Sequence, residues 1–347
     1  MATRTESESA ANAVVSIPGL LHDLLSIRRP HGGTGEALAQ SLVEQRITRA
    51  GRSSCRDSVG NIHCVVQPNR LHLAGRVPVL VLPTFTAHLD TVHTQDGQQV
   101  LFVVEGTNEV VADTLDGKAS VLGADDAAGV YTLTEMIAAG VPGRYLFFVG
   151  EECGGIGSSR YVLNNPDYQS NMVVSFDRKA LSSVITHQGG YRTCSDEFAT
   201  ALSSALNLQE PSFEYRPDSS GVYTDSKEFA HIVPECTNIS VGYYNEHTTR
   251  ELLDLPHLLA LTQACIKLDW SALPIRRDPE QDVPWGTSDD AYSGYSKLWT
   301  GDADTPKWNT RAEAKDAVAE IEAMVASGCV TEFEITHYLN IIRGYLL

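Results

Sequence analysis

The chain has 347 residues, of which 42% are hydrophobic and 20% are charged, and its formal net charge is -18. This composition is typical of a globular protein with a large core, in one large domain or two ordinary ones, and no apolar run reaches the length of a membrane span. A charge this negative, with no basic block to offset it, repels phosphate backbones, so we expect no nucleic-acid partner, and the lack of a long apolar run predicts no membrane association.

The amino-terminal segment and the cysteines bear on the cellular compartment. Residues 1–12 lack a basic start followed by an apolar stretch, so we predict a disordered polar tail and no secretion signal. The seven cysteines are odd in number and include no C-x-x-C pair, which favours free thiols in a reducing compartment. These features predict a cytoplasmic protein.

Residues 13–273 alternate between helical and extended patterns. The predicted order is two helices (LLHDLLSI, EALAQSLVEQRI), three β-rich runs (IHCVV, VPVLVLPTFTAHLD, VLFVVEG), a helix ending at Gly140, the strand RYLFFVG, the helix SSRYVLNN and the strand NMVVSFD. The run ECTNISVGY and a helix in DLPHLLALTQACIKL follow. This order predicts an α/β catalytic domain whose helices flank a mixed, mostly parallel central sheet.

The composition changes after residue 273. All four tryptophans lie at or beyond Trp270, and residues up to about 309 are rich in Pro, Asp, Gly and aromatics. A capped helix begins at Thr310 and ends at Gly328, and the last residues resemble a further helix. We predict that residues 274–347 are an acidic, Trp-rich accessory extension with terminal helices, which supplies no metal ligand.

Acidic residues and histidines follow two of the predicted strands. TFTAHLDTV places His88 and Asp90 two residues apart at a strand end, so both side chains point to the same face. RYLFFVGEECGGIGS places Glu151 beside Glu152. Two carboxylates about 4 Å apart repel by roughly 4 kcal/mol at an effective dielectric of about 20. Unless the loop is simply solvated, such a pair requires a shifted pKa or a nearby cation.

Three further segments supply the same residue types. LGADDAAGV places Asp125 and Asp126 at a helix start, VVSFDRK places Asp177 at a strand end, and SVGYYNEHTT places His247 just after another strand. Taken singly, each has an ordinary explanation as a helix cap, a turn or a solvated histidine. Together they predict a ligand site, because parallel sheets bind ligands beyond the carboxyl ends of their strands.

These residue types suit a dinuclear metal site. One imidazole, one carboxylate and a shared bridging carboxylate give each metal three ligands and leave a position open for water. With Asp125, Glu152 and Asp177 as carboxylate ligands, a bridging hydroxide balances the charge of two zinc ions. One glutamate then holds a metal, and its neighbour can act as general base on the bridging water.

The motifs AHLDTV, GADDAAG, GEECGGIGS, SFDR and NEHT occur in this order between residues 85 and 250. They resemble the motifs of the co-catalytic dizinc exopeptidases, which include leucyl aminopeptidases, peptidase T, glutamate carboxypeptidases and acetylornithine-deacetylase-like enzymes. The resemblance implies a phosphorylase/hydrolase-like zinc exopeptidase fold with two Zn²⁺ per chain, for which Co²⁺ or Mn²⁺ can substitute. The implied roles are His88, Asp125 and Asp177 on one zinc, Asp125, Glu152 and His247 on the other, Asp90 orienting His88, and Glu151 as catalytic base.

The spacing departs from part of this group. Only 69 residues separate Asp177 from His247, whereas deacylases and peptidase T carry an inserted dimerisation domain there. We therefore predict no inserted domain, as in the single-domain aminopeptidases. The GADDAAG motif is nonetheless closer to peptidase T, and the sequence leaves residue specificity and oligomeric state open.

The leading hypothesis is a zinc aminopeptidase that acts on short peptides. The alternatives are an amidohydrolase or deacylase of N-acylated amino acids or a carboxypeptidase of the same fold and, in another class, an inactive metal-holding binding protein. An intact Glu151 argues against the last, since a binding module needs no base beside its metal. Weaker candidates for contacts in the cleft are His93, His187, Tyr243, Tyr244 and Asp225.

Overall fold

The structure is a computed structural model and describes residues 15–68, 81–113 and 120–282. The predicted tail at residues 1–12 and residues 283–347 of the predicted extension lie outside the described residues. The α-helices of the described part are α1 (Gly19–Leu25), α2 (Thr34–Arg49), α3 (Ala124–Ala139), α4 (Ile156–Asn164), α5 (Asp196–Gln209), α6 (Leu255–Lys267) and α7 (Pro279–Asp282).

A mixed eight-stranded sheet forms the centre of the fold. Its strands, in spatial order, are β13 (Arg216–Asp218), β10 (Ser183–Ile185), β14 (Glu235–Ser240), β9 (Met172–Arg178), β4 (Thr84–His88), β8 (Gly143–Phe148), β3 (Ile62–Val66) and β2 (Ser54–Arg56). The four neighbours β14, β9, β4 and β8 are parallel, whereas β10, β3 and β2 join antiparallel to them or to each other. The predicted mixed α/β sheet is thus confirmed.

Smaller antiparallel sheets surround this one. A four-stranded sheet contains β15 (Tyr243–Tyr244), β16 (Leu252–Asp254), β7 (Glu109–Asp113) and β6 (Val100–Val103). Two-stranded pairs join β1 (Ile27–Arg28) to β5 (Gly97–Gln98) and β11 (His187–Gln188) to β12 (Tyr191–Arg192). The sequence patterns indicated some of these strands but not that they form separate sheets.

Helix ends and strand burial follow from the sequence. Helix α3 ends at Gly140, whose φ of 80° is left-handed and is therefore most easily adopted by glycine. Helix α6 begins at Asp254, whose side chain accepts a hydrogen bond from His257 N, with Pro256 in the first turn. Every residue of the central strand β4 is buried, as expected for a parallel strand covered on both faces.

Two hydrophobic clusters lie on opposite faces of the sheet. The larger contains Phe85 and residues of α1, α3, α5 and α6, and the ring of Trp270 contacts Phe85 at a centroid distance of 4.7 Å. The smaller one contains Phe148 and Phe229, at the end of the 3₁₀ segment Asp225–Phe229, together with residues of α4. Packing continues past residue 273, because the guanidinium of buried Arg277 donates to backbone carbonyls of residues 230, 233 and 234.

The chain between Asp177 and His247 completes the central sheet. It contains β10, β13, β14 and α5 along with the short hairpin β11–β12, and it adds no further domain, as predicted from the spacing. No helix in the described ranges combines the length and apolar character needed to cross a membrane. Among the described cysteines, Cys153 is disulfide-bonded, which the prediction of free thiols missed, and the free ones are Cys55, Cys64, Cys194, Cys236 and Cys265.

Candidate metal centre

The carboxyl ends of β4, β8 and β9 meet at one edge of the central sheet. His88 is the last residue of β4, Asp177 is the last but one of β9, and Glu152 lies in the turn after β8. The other two predicted ligands do not lie at the ends of these strands. Asp125 lies in the non-helical first turn of α3, where its peptide bond to the next aspartate is cis, and His247 follows β15 of the four-stranded sheet.

Three groups of three side chains in the described chain have the spacing of metal ligands; one is His31, Glu36 and Asp90, and the other two share Asp125. The candidate ligand atoms of His88, Asp125 and Asp177 lie within 4.8 Å of one another, and so do those of Asp125, Glu152 and His247. His88 Nε2 is 2.9 Å from Asp125 Oδ1 and 3.4 Å from Asp177 Oδ1. His247 Nε2 is 3.2 Å from Asp125 Oδ2 and 3.1 Å from Glu152 Oε1. Asp125 therefore turns one oxygen toward each of the two groups that share it.

The electrostatics of these groups favour bound cations. Burial lowers the pKa of His88, but the charge of Asp177 and a hydrogen bond with Asp125 outweigh it and raise the pKa well above its ordinary value. Burial and repulsion from Asp125 raise the pKa of Glu152 to about 7. Imidazole nitrogens with carboxylate oxygens are the donors that Zn²⁺, Co²⁺ and Mn²⁺ accept. The residues present thus fit the two divalent ions that the motifs imply.

His247 has an unusual backbone conformation. Its φ is 60°, in the left-handed region that costs a residue with a Cβ on the order of 1 kcal/mol. From the loop after β15, its ring reaches the carboxylate oxygen of Asp125 that His88 does not contact.

The two adjacent glutamates have different surroundings. Glu152 is 4% exposed and contacts His247. Glu151 is partly exposed, and within the described residues its carboxylate makes no hydrogen bond. Its backbone is fixed, since its carbonyl accepts N–H groups of the following glycine-rich turn. Burial raises the pKa of the Glu151 carboxyl well above its ordinary value, and repulsion from Asp177 and Glu152 adds to the shift.

Asp90 contacts the glutamate pair more closely than it contacts the histidine. Its carboxylate is 3.6 Å from His88 Nδ1, which is too long for a hydrogen bond, and the nearer partner of that nitrogen is the Asp90 backbone carbonyl at 3.2 Å. The carboxylate instead accepts the N–H groups of Glu151 and Glu152 at 3.0 and 3.1 Å. Asp90 therefore links the β4 loop to the turn after β8.

Two buried carboxylates that the sequence analysis did not identify as site residues hold the same loops. Glu251 accepts the N–H groups of Gly123 and Asp125 at 2.9 and 3.1 Å. Asp126 accepts the N–H of His88 at 3.1 Å. Neither belongs to a three-residue donor group, and both fix the backbone on which the candidate ligands stand.

A fully buried cation, Arg29, joins these loops from the amino-terminal side. Its Nε donates to Leu89 O at 2.9 Å and one of its terminal nitrogens donates to Gly123 O at 2.9 Å. Burial lowers its pKa to about 10, against the opposing charges of Glu251 and of Asp126. No sequence pattern marks Arg29 beyond an Arg-Arg pair in a break between helices, because its partners in these loops are backbone atoms distant in the chain.

The hydroxyl of Tyr243, one of the weaker candidates for a contact in the cleft, already makes a hydrogen bond. It donates to Asp177 Oδ1 at 3.2 Å, while Thr224 donates to Asp177 Oδ2 at 2.6 Å, and Tyr243 is 2% exposed. Tyr243 therefore holds the carboxylate of Asp177, to which its hydroxyl proton is committed. Tyr244 is partly exposed in β15 and contacts none of the candidate ligands by hydrogen bond in the described chain.

The remaining weaker candidates differ in position. His187 begins the short hairpin β11–β12, where its Nδ1 pairs with the hydroxyl of Thr186 at 2.9 Å. Asp225 is 1% exposed, its Oδ1 has no hydrogen-bond partner in the described chain, and its charge contributes to the raised pKa of Glu151. Asp225 thus lies beside the centre without joining either donor group.

A cleft of about 340 Å³ opens beside Glu152. It is bounded by the loops after β1 and β4 and by the turn after β8, and its lining residues are Pro30, His31, Gly32, Gly33, Thr91, His93, Thr94, Gln95, Asp96, Glu152 and Cys153. Through Glu152 the cleft adjoins the candidate metal centre.

His93 is buried in the wall of this cleft as a neutral ring. Its Nδ1 is 2.6 Å from Thr91 Oγ1, and its Nε2 is 3.2 Å from the carbonyl oxygen of Val121. Because the carbonyl can only accept, Nε2 carries the proton and Nδ1 accepts from the threonine. Burial, with the nearby charge of Arg29, lowers the pKa of His93 to about 3.

We expect this histidine to make the fold sensitive to acid. An unfolded chain protonates it near pH 6.5, so between that pH and about pH 3 the unfolded state binds the extra proton and stability falls as pH falls. The wild type should lose about 1 kcal/mol more of its free energy of unfolding per pH unit between pH 6 and 4 than His93→Gln. Urea unfolding across this range measures the difference, with His22→Gln, an exposed histidine, as control. Parallel pH profiles of wild type and His93→Gln would contradict the assignment.

Comparison with solved structures identifies the fold. A tripeptidase from Staphylococcus aureus superposes with a TM-score of 0.57 at 14% identity, covering 71% of this chain and 95% of its own. The aminopeptidase PepT from Bacillus cereus gives 0.53 at 14% identity, with the same coverages. An aminopeptidase from Desulfurococcus kamchatkensis gives 0.51 at 14% identity, covering 75% of this chain and 95% of its own.

This chain has the fold of these peptidases. The resemblance drawn from the sequence motifs is therefore confirmed at the level of the fold. No protein-family model matches the sequence, and no curated protein matches it. At such low identity the peptidase fold is shared while the side chains of the site must be argued from this chain itself.

Proposed function

We propose that this protein is a metallo-aminopeptidase that hydrolyses the first peptide bond of short peptides with two zinc ions per chain, for which cobalt or manganese can substitute. The proposal rests on the different surroundings of the two adjacent glutamates. Glu152 is buried against His247 in one donor group, whereas the carboxylate of Glu151 is partly exposed and without a hydrogen bond in the described chain. A peptidase fold at 14% identity to the tripeptidase supports the same class of reaction.

Each of the two donor groups that share Asp125 would hold one metal ion. His88, Asp125 and Asp177 would hold one ion, and Asp125, Glu152 and His247 the other. Bound there, the two ions would supply Lewis acidity toward the scissile carbonyl and toward water.

The general base in this proposal is Glu151. Its carboxylate takes a proton from the attacking water and returns it to the leaving nitrogen. Asp90 keeps the base in position through the backbone N–H of Glu151 at 3.0 Å. Arg29 and Glu251 keep the loops of the ligands in register through their hydrogen bonds to backbone atoms.

A free amino terminus is the substrate feature that we propose the site selects. Asp225 lies beside the centre, and its Oδ1, which has no hydrogen-bond partner in the described chain, offers an acceptor for the substrate's ammonium group. An ammonium group is attracted there, and its loss by acetylation removes a charge-assisted interaction of about 1.5–3 kcal/mol.

The test compares short peptides with free and acetylated amino termini on the metal-loaded protein. We expect kcat/KM to be about 10- to 100-fold higher for the free peptides, the rate equivalent of that energy. Protein stripped by a chelator is the control and should cleave neither set. Equal or faster cleavage of acetylated peptides, or release of acetate or of carboxy-terminal residues, would favour the deacylase or carboxypeptidase alternative. Tight metal binding with no cleavage of any peptide would favour the inactive binding protein.

A further inference from the structure

Lys227 belongs to a segment whose backbone is tied to a residue that contacts a candidate metal ligand. It lies in the 3₁₀ segment Asp225–Phe229, and its backbone N–H donates to the carbonyl of Thr224 at 2.9 Å. The hydroxyl of Thr224 in turn donates to Asp177 at 2.6 Å. The backbone of Lys227 is therefore one 3₁₀ turn, about 6 Å of rise, from Thr224, which contacts the candidate ligand Asp177.

The ammonium has no anion bound to it in the described part of the chain. Lys227 Nζ lies over the ring of Tyr223, 5.4 Å from the ring centroid. No hydrogen bond or ion pair joins the ammonium to another described residue. Burial lowers the pKa of Lys227, while the charge of Glu228 raises it. The carboxylate of Glu228 is itself bonded to the hydroxyl of Tyr223 at 3.1 Å. A partly buried cation in this state gains from an anion that reaches its remaining donors.

Two glycines shape the space around Lys227 and Tyr223. A Cβ on Gly155, in the turn that follows the glutamate pair, would collide with the hydroxyl of Tyr223. A Cβ on Gly189, in the turn of the hairpin β11–β12, would approach Lys227 Nζ to 2.8 Å. The lysine thus lies between the hairpin and the tyrosine ring, and the tyrosine reaches the turn that carries Glu151.

We propose that Lys227 binds the terminal carboxylate of the peptide substrate and so restricts the enzyme to short peptides. This rests on the proposed peptidase function. Arg29 donates to backbone carbonyls and does not offer its charge to such a group, whereas Lys227 has no anion bound to it among the described residues. An extended residue spans about 3.5 Å, so the proposal pairs Lys227 with a carboxylate about one to three residues beyond the scissile bond. The catalytic domain supplies this contact itself, because no domain is inserted between Asp177 and His247.

The first experiment measures discrimination at the carboxyl end. Metal-loaded protein is assayed with Leu-Gly-Gly and with its carboxy-terminal amide. We expect the wild type to prefer the free acid about 10- to 100-fold in kcat/KM, the equivalent of one charge-assisted contact. Lys227→Met should reduce that ratio to less than about threefold, and Lys227→Arg should retain part of it. Lys267→Met, which removes an exposed lysine of α6, should keep the wild-type ratio.

The second experiment measures binding without turnover. An analogue of the same tripeptide, with a methylene-amine in place of the scissile amide, is titrated calorimetrically as free acid and as amide. The ratio of the two Kd values should follow the ratio of kcat/KM across the same variants. Cleavage of both substrates with equal kcat/KM, or a ratio unchanged in Lys227→Met, would overturn the subsite and leave the peptidase proposal standing. Absence of both cleavage and analogue binding in the wild type would overturn the two together.

Discussion

Glu151→Gln should retain two metal ions per chain and lose hydrolysis of short peptides by about a hundredfold or more, the low end for removal of a general base. The amide has nearly the shape of the carboxylate but cannot take a proton from water. The metal should stay because Glu151 belongs to neither donor group, whereas Glu152 contacts His247 at 3.1 Å. The loss should appear in kcat with little change in KM, since substrate binding does not depend on the base.

Metal analysis of the purified variant and steady-state kinetics measure the two parts of this result. Glu152→Gln is the matched comparison, because it makes the same change one residue along and should weaken metal binding. An empty Glu151→Gln protein beside a metal-replete Glu152→Gln protein would exchange the roles of the two residues. Full activity in Glu151→Gln would remove the base from the mechanism.

Asp125→Ala should weaken both metal sites at once and abolish peptide hydrolysis. Each oxygen of this carboxylate faces a different histidine, with Oδ1 2.9 Å from His88 Nε2 and Oδ2 3.2 Å from His247 Nε2. Loss of the residue therefore removes one ligand from each group of three and leaves two, fewer than the three protein ligands typical of catalytic zinc. Loss of a residue that only supports a ligand typically lowers metal affinity about tenfold to a hundredfold. We expect the affinity for each ion to fall by at least that much when a ligand itself is lost.

Calorimetric titration of the stripped protein with Zn²⁺ resolves the two binding events. Asp23→Ala is the matched control, since it removes an exposed aspartate of α1 and should leave both events unchanged. Thermal unfolding of the stripped proteins separates lost metal affinity from lost folding. A variant that kept one site at wild-type affinity would contradict the shared position of Asp125.

The elements that sequence patterns predicted best are those whose signal is local. Helix α3 ends at Gly140 as predicted, and the apolar runs of β8 and β9 became buried strands. The candidate ligands could be proposed together because a parallel sheet gathers its strand ends at one edge. Asp125 lies at a helix start and not at a strand end. Its place among the ligands could therefore be predicted only if the predicted sheet was correct.

Other parts of the site depend on contacts that no local pattern records. Arg29 bonds to carbonyls more than fifty residues away, and Asp90 supports the backbone of a distant turn more closely than it supports its near neighbour His88. Tyr243 was only a weaker candidate for a contact in the cleft, and its hydrogen-bond partner proves to be Asp177, 66 residues earlier. Such partners become evident only when the sheet order is known.

The order of the ligands along the chain has a consequence during synthesis. His88, Asp125 and Asp177, one complete donor group, all precede His247 by at least 70 residues. At about 5 to 20 residues per second a ribosome needs roughly 4 to 14 seconds to make that interval. For that time the nascent polypeptide carries every ligand of one group and an incomplete second group. Asp125 is therefore synthesised well before the histidine that shares it, and the strand β14 that pairs with Asp177's strand is also still to come.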